Sequence, residues 1–502
     1  MNENLKAIID GENIRENINK LKDACGDLPF ARAFLSENKD LSAIKNVISG
    51  EDAKARKNAA LLLGKLAYAA GMTDKAAERE LSKLLFDAYK SENTRFVKSS
   101  YLKALEGLKI DEFIPVLKQR YDELLSYTPS EEEVKHIDEE KKLLIKLLSD
   151  AGELSSHGFK NYDAKSNLVI TTLPAFRSTV SEELSEKGIK TASHPLGVLC
   201  EDASPTELLK YRFFKELLFA VGSGKVKENA KECAAYLAEN GVLELLSTYL
   251  DGKAPYYFRV SILGLDNKDD KTKFIKALSK ELEAASKGAL INSSNAYEAE
   301  LRLVPSKDGD FYPVIALKAM SDHRFDYRKQ VLSTSMHPSV AAAAVKLASA
   351  YFDDNPQKVI LDAACGSGTL LIERCKFEKP YDCYGVDIFG DAITGAKENA
   401  ENAGLKINFI KRNFKDFTSK HLFDEIWAEM PAGVKKSESE TAELYKDYFD
   451  GFDKLLNEDG KIFLISSDAA AAKKELKKHP DRKLLKDYSI RKKTNTHLFV
   501  IG

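Results

Sequence analysis

The most restrictive feature of this chain is an apolar strand that runs into a glycine-rich turn and out into a helix: Val359-Ile-Leu-Asp362-Ala-Ala364-Cys365-Gly366-Ser-Gly368-Thr369-Leu-Leu-Ile-Glu373. Glycines at 366 and 368 let the backbone approach a ligand without Cβ clashes. In an open α/β sheet such a turn lies beyond the C-terminal ends of the strands, where ligands bind. The G-x-G spacing lacks the third glycine of a pyrophosphate turn and the G-K-[ST] of a phosphate-binding P-loop. About twenty residues on, Tyr384-Gly-Val-Asp387-Ile388 ends the next strand with an acid, a spacing that suits a carboxylate accepting from two ribose hydroxyls. Together they call for a nucleoside that is not anchored by phosphate. S-adenosylmethionine (SAM), with its amino-acid arm, meets that description.

The chain around this motif changes period twice. From residue 1 to about 155 it reads as successive helices. Ala55, Ala59, Leu63 and Leu66 recur as Val97, Tyr101, Leu105 and Leu108, an offset of 42 residues each time. That falls in the period of HEAT or armadillo repeats, although an ordinary bundle can carry matching stripes. Residues 151–167 lose the helical period and read as a linker. Residues 165–320 alternate strands and helices, with strands at 168–173, 197–200, 257–263, 298–304 and 311–317. They also hold a helix over 175–186 and another opening at Thr206, capped by Ser204 with Pro205 at its first position. Residues 321–502 alternate strand and helix, which implies a parallel sheet. The last two strands, 485–491 and 497–501, are too close for a crossover and are expected to be antiparallel. The fold class is therefore α/β, a Rossmann-like domain preceded by an α+β domain and an all-α HEAT-like domain, about three domains for 502 residues.

Lys+Arg (76) against Asp+Glu (78) gives a net charge of −2, which excludes a uniformly basic nucleic-acid coat protein but not a local basic face. One such stretch runs from Lys473 to Lys493; it suits phosphate contact or a solvated helix face. Six cysteines without a C-x-x-C pair and eight histidines argue against a metal centre and for a reducing, cytoplasmic location. No apolar run long enough to span a membrane occurs, and the N-terminus lacks a basic region followed by an apolar run. Trp427 reads as core and Cys365 as loop packing rather than nucleophile.

The glycine motif, G-V-D-I and D-A-I-T-G-A-K-E-N-A-E-N-A-G-L together resemble class I SAM-dependent methyltransferases. H-R-F-D-Y-R-K-Q (323–330), M-H-P-S-V-A-A-A-A-V-K-L-A (336–348) and N-L-V-I-T-T-L-P-A-F-R (167–177) are similar to the THUMP-containing RNA guanine-N2 methyltransferases. The resemblance covers about 165–502. It implies a THUMP-like RNA-binding half and methyl transfer to the exocyclic N2 of guanine in tRNA or rRNA. The implied cofactor set is Met336, His337, Asp362, Ala364, Cys365, Gly366, Gly368, Thr369, Asp387, Ile388, Asn413 and Phe414. Within it, Asp362 and the glycines shape the methionine-arm pocket, Asp387 holds ribose, Ile388 packs on adenine and Asn413 meets the adenine amine. Met336 and His337 close over the cofactor.

The acceptor motif departs from the family. Asn or Asp, two prolines and an aromatic become Glu429, Met430, Pro431 and Ala432. A Glu carboxylate accepts from an amine but is one methylene longer, and loss of the aromatic removes roughly 1–3 kcal/mol of base stacking. Three readings follow: an active methyltransferase with an altered acceptor pocket, a SAM- and RNA-binding protein without catalysis, or a methyltransferase with a protein or other non-RNA target. Arg324, Arg328, Lys411 and Arg412 are the candidate RNA contacts. The N-terminal helices are a candidate protein-partner surface.

Overall fold

The computed structural model describes residues 2–38, 40–154, 157–264, 268–294, 296–333, 335–430 and 437–502, with the side chains of 268–270 left out. The chain divides into two compact units. The first comprises Met1–His157 with two later segments, Ala254–Arg259 and Ser286–Glu298. The second holds the remainder to Gly502.

The first unit is built from helices between Glu3–Ile9 and Glu131–Asp150. Their starts are set locally. Asp52 accepts from the Lys54 and Ala55 amides at 2.8 and 3.2 Å to open the helix Ala53–Ala70. Ser130 and Glu133 form a capping box on Glu131–Asp150. The residues matched at the 42-residue offset are all buried, Ala55, Ala59, Leu63 and Leu66 in one helix and Val97, Tyr101, Leu105 and Leu108 in the other stretch. The two helices approach so closely that a Cβ on Gly64 would lie 2.5 Å from the Ala104 carbonyl oxygen. Tyr257 and Ile291 complete this core.

The second unit opens with β1 (Ser166–Thr171), β2 (Lys190–His194), β3 (Gly197–Ala203) and β4 (Leu217–Ala220), and continues with β7 (Ala299–Pro305) and β8 (Phe311–Leu317); β5 (Tyr256–Ile262) runs from the first unit into the second, and β6 (Leu290–Asn292) belongs to the first. Strands β2-β3-β1-β4-β8-β7 lie side by side in that order, all antiparallel. The ends of β5 and β6 inside the first unit pair in parallel, Tyr257 opposite Ile291. β2 and β4 fall where no strand is expected from sequence. The helix expected from Thr206 is a single turn, Pro205–Leu208, with Ser204 and Glu207 in a capping box.

The last seven strands are β9 (Val359–Asp362), β10 (Asp382–Asp387), β11 (Asn408–Lys411), β12 (Phe423–Glu429), β13 (Leu456–Ser466), β14 (Leu484–Arg491) and β15 (Thr496–Ile501). They form one sheet in the order β11-β10-β9-β12-β13-β15-β14. The first five are parallel, and β15 inserts antiparallel between β13 and β14, as the short final connection requires. Sequence order reverses between β9 and β12, so a crevice opens at their C-terminal ends.

Trp427 lies in β12, fully buried, stacked on Phe463 at 4.4 Å, with its indole N–H donating to Glu425 at 3.0 Å. Glu425 also takes both ends of the wholly buried Arg374 guanidinium, at 2.8 and 2.6 Å. Removing one partner of such a pair strands a buried charge at a cost of about 3–5 kcal/mol. Glu425→Ala is therefore expected to lower the urea midpoint of this unit by a corresponding amount. Trp427, the single tryptophan, reports the transition by fluorescence, and an unchanged midpoint contradicts the assignment.

Candidate functional site

Strand register gathers three carboxylates on the crevice. Asp362 in β9 stands opposite Gly385 in β10 and Trp427 in β12. Asp387 and Glu429 lie two residues beyond those partners, so the pleat returns all three to one face. Asp362 is buried and accepts from the Ala364 amide at 3.1 Å. Burial pushes its carboxyl up to about 8, with the charges of Glu429 and Asp387 adding to the shift. Burial raises Glu429 to about 7 against the opposing pull of Arg491. Among the described residues the Glu429 carboxylate has no hydrogen-bond partner.

The glycine loop wraps this group. Gly366 (φ +51°) and Gly368 (φ +80°) occupy the left-handed region that side chains avoid. A Cβ on Gly366 would enter open space. The loop is pinned from behind: Ala363 N–H donates to the Trp427 carbonyl at 2.8 Å, Cys365 N–H to Val386 at 3.0 Å, and Gly368 N–H to Cys365 at 2.8 Å. Asp387 accepts from Gly366 N–H and Phe389 N–H, both at 2.9 Å. This leaves acceptor capacity on both of its oxygens. The Thr369 hydroxyl is buried without a partner in the described structure. Cys365 is buried, and burial raises its thiol further from ionisation.

The remaining cofactor-set residues fall into three pairs. Ala364 and Ile388 sit on the loop and just past β10, Ile388 half exposed. Met336 and His337 adjoin the loop through Ser335, whose hydroxyl meets Ser367 Oγ at 2.9 Å. His337 caps the helix Pro338–Ala348, receiving the Ser339 amide. Its imidazole is held below the ordinary value by burial and by Lys215, Arg328, Arg324 and Arg491. Asn413 caps a turn over Phe414–Asp416, and Phe414 is buried against Tyr448 at 5.0 Å. Met430 is buried in the adjoining apolar cluster, and its N–H donates to Ile465 at 2.8 Å. Pro431, Ala432 and Gly433 lie outside the described residues.

The basic residues separate. Lys411 and Arg412 are exposed at the end of β11. Arg328 donates to the carbonyls of Ser335 and Met336. Arg324 is turned inward instead: it is bound by Asp322, donates to the Tyr211 carbonyl at 2.7 Å and stacks on Phe214 at 3.7 Å, leaving 5% of its side chain exposed. Its guanidinium is not presented to a phosphate. In the C-terminal basic stretch, Lys473, Lys478 and Arg482 pair with Asp487, Glu475 and Asp453. Of the other basic residues in the stretch, Arg491, Lys492 and Lys493 lie at the crevice end of β14.

Two contributors escaped the sequence reading. Asn399, buried in the helix Gly390–Asn402, accepts from Lys329 and Gln330 amides (2.9 Å each) and donates to the Gln330 and Ser367 carbonyls (2.8 and 3.0 Å). It thereby ties the glycine loop to the segment before Met336. Tyr448, from the helix Glu438–Leu455, is buried within electrostatic reach of Asp387 and Asp362, which with burial hold its hydroxyl neutral. A buried mid-helix Asn is a signal available in sequence; Tyr448 has none. Among the described residues no group of His, Cys, Asp or Glu could hold a metal, and no helix is long and apolar enough to cross a membrane.

Residues 326–492 match the family model UPF0020, the RMKL-like methyltransferase domain. The chain is 25% identical over 187 residues to the Bacillus subtilis (strain 168) protein named "Putative RNA methyltransferase YpsC". That match covers 29% of this chain and 47% of the Bacillus protein, so the chain spans about half the length of this curated relative. TrmN from Thermus thermophilus superposes with a TM-score of 0.53 at 22% identity, covering 67% of this chain and 99% of TrmN. SMU.472 complexed with SAH gives 0.51 at 17% identity, covering 67% and 98%. The C-terminal region therefore has the Rossmann-like methyltransferase fold.

A carboxyl whose pKa is raised on folding makes the native state bind more protons than the unfolded chain, so stability falls as pH rises through that window. For Asp362 the window runs from the ordinary carboxyl value of 3.8 to about 8. Thermal midpoints measured across this range are expected to decline less in Asp362→Asn than in the parent, and parallel curves would contradict the buried-acid assignment.

Proposed function

We propose that this chain is a SAM-dependent methyltransferase that modifies an RNA base, most specifically the exocyclic N2 of guanine in tRNA or rRNA. The observation that carries the reading is the three-carboxylate crevice over the glycine loop, with Glu429 at the acceptor position and without a hydrogen-bond partner among the described residues. The family-model match and the name of the Bacillus relative support it. In this reading residues 165–320 are a THUMP-like RNA-binding domain and linker, residues 1–155 a HEAT-like domain, residues 321–502 the catalytic domain, and the protein acts in the cytoplasm.

The residues present suit SAM. The open space above Gly366 takes the methionine arm, the partnerless Thr369 hydroxyl and Asp362 offer it polar contacts, and Asp387 has free acceptor sites for ribose. When bound, SAM supplies an electrophilic methyl group. Asp387 orients the nucleoside, and the loop amides hold Asp387 in place. Glu429 accepts a hydrogen bond from the acceptor amine and keeps its lone pair directed at the methyl group. Positioning of this kind, rather than a covalent intermediate, is the source of acceleration. The ionised carboxylate is the stronger acceptor and is the form able to take up the amine proton, and burial raises Glu429 to about 7, so activity is expected to increase with pH through that value. Burial of Met430 beside Glu429 favours a second reading, SAM and RNA binding without catalysis.

Calorimetry with SAM and tritium transfer to unmodified tRNA and rRNA separate the two. Asp387→Ala is expected to weaken SAM by about tenfold or more, the worth of a hydrogen bond to a charged group. Glu429→Ala is expected to retain SAM binding and lose about 100-fold in transfer. SAM binding without transfer to any RNA sinks the catalytic reading.

A further inference from the structure

We infer that the helical first unit binds an extended, lysine- or arginine-rich polypeptide segment in the open cavity formed by its first, second, fourth and fifth helices. This inference is independent of the methyl-transfer reading. The cavity has a volume of about 1450 Å³, above the roughly 300–1,000 Å³ of small-molecule pockets, so its size suits a stretch of chain. Leu5, Ile8, Ile14 and Val47 form an apolar part of its lining.

The polar lining is unusual in being rich in carboxamides. Asn13, Asn19, Asn38, Asn46 and Asn58 all face it. Asn19 and Asn38 are engaged within the fold, Asn19 with Lys22 and Asp23 and Asn38 with the Phe34 carbonyl. Asn13 and Asn46 make no side-chain hydrogen bond to any described residue, and Asn58 receives a single long contact from Lys22 at 3.4 Å. A carboxamide carries one acceptor and two donor hydrogens. It therefore satisfies both the N–H and the C=O of a peptide backbone, which must find partners when withdrawn from water. An extended strand presents such pairs to one side at alternate residues.

Charge selects the occupant. Lys20 is paired with Glu16 at 2.7 Å. Among the described residues Arg15 is then the remaining cation of the lining, against Glu37, Asp40, Glu51 and Asp52. An acid excess repels a phosphate backbone and attracts Lys and Arg side chains. The helical unit thus favours a basic polypeptide over nucleic acid.

The test uses the full-length chain and fluorescence anisotropy with a labelled peptide alternating Lys and Ala, about twelve residues long and roughly 40 Å when extended. Peptides alternating Glu and Ala and an oligo(U) RNA serve as competitors. The basic peptide is expected to bind and to weaken with salt. Asn46→Ala with Asn58→Ala is expected to weaken it about tenfold, as two lost amide contacts imply. Glu37→Lys with Glu51→Lys is expected to abolish it. Thermal midpoints confirm that these variants fold, and SAM binding, far from the substituted residues in sequence, is expected to be unchanged. Absence of basic-peptide binding, equal binding by the charge-reversed variant, or preference for the acidic peptide or the RNA overturns the proposal. Self-association of the chain that the same substitutions abolish also overturns it, because the groove then serves a second copy.

Discussion

Two consecutive residues of the helix that opens the glycine loop, Glu373 and Arg374, are both buried and bound in opposite directions. Glu373 takes the Arg212 guanidinium at 2.7 and 2.8 Å and the Tyr327 hydroxyl at 2.8 Å. Arg374 is held by Glu425 in β12, and by Glu378. One residue therefore locks the helix to the α+β segment and to the stretch that leads into Met336. The next locks it to the strand that ends in Glu429. Buried charges cost desolvation that their attraction barely offsets, so such pairs are weak evidence for stability. Here their geometric effect is the larger one. An uncompensated charge on either side is expensive, and the alternative registers of helix against strand are thereby disfavoured. The helix start, and with it Gly366 and Gly368, keeps a defined position relative to the Glu429 carboxylate at the end of β12.

Within that frame the site concentrates like charge. Asp362, Asp387 and Glu429 occupy the C-terminal ends of three adjacent parallel strands, and the first and last are pushed toward neutrality by burial. A fold selected for stability alone has little reason to gather acids without a countercharge in a buried crevice, and perturbed carboxyls in a crevice are characteristic of functional sites. The partial charges of the Gly366 and Phe389 amides at Asp387 and the guanidinium charge of Arg491 near Glu429 soften the repulsion without removing it. The cations around His337 belong to separate elements: Lys215 precedes β4, Arg328 lies in the 323–330 stretch and Arg491 ends β14. The positive field there is thus a product of tertiary packing rather than of the basic run alone.

What was legible in sequence follows from the range of each interaction. The glycine turn, the strand-final Asp387 and the antiparallel last strand are encoded within a few residues, and the fold carries them as read. β4 was hidden because Leu217–Ala220 is a short, wholly apolar run, and period cannot distinguish a buried strand from a helix there. β2 was hidden because Lys190–His194 lacks alternation and is largely exposed. Arg324 illustrates the deeper limit. Its neighbours in sequence are those of an exposed basic loop, and only the approach of Phe214 and Tyr211 from more than a hundred residues away turns it inward. Asn399 and Tyr448 enter the site the same way, through partners that sequence distance conceals.

The two units also differ in what their surfaces can attract. The crevice of the second unit adjoins exposed cations at the ends of β11 and β14, whereas the cavity of the first is lined by amides and an excess of acids. A near-zero net charge is the sum of these opposite local characters. An electrostatic attraction for RNA, if it is to guide the substrate, must therefore originate in the second unit, since the acid groove of the first opposes it. The helical unit then adds selectivity of another kind, through backbone-directed carboxamides that are indifferent to phosphate. Fusing such a unit to a methyltransferase fold joins two recognition chemistries that do not compete for the same ligand.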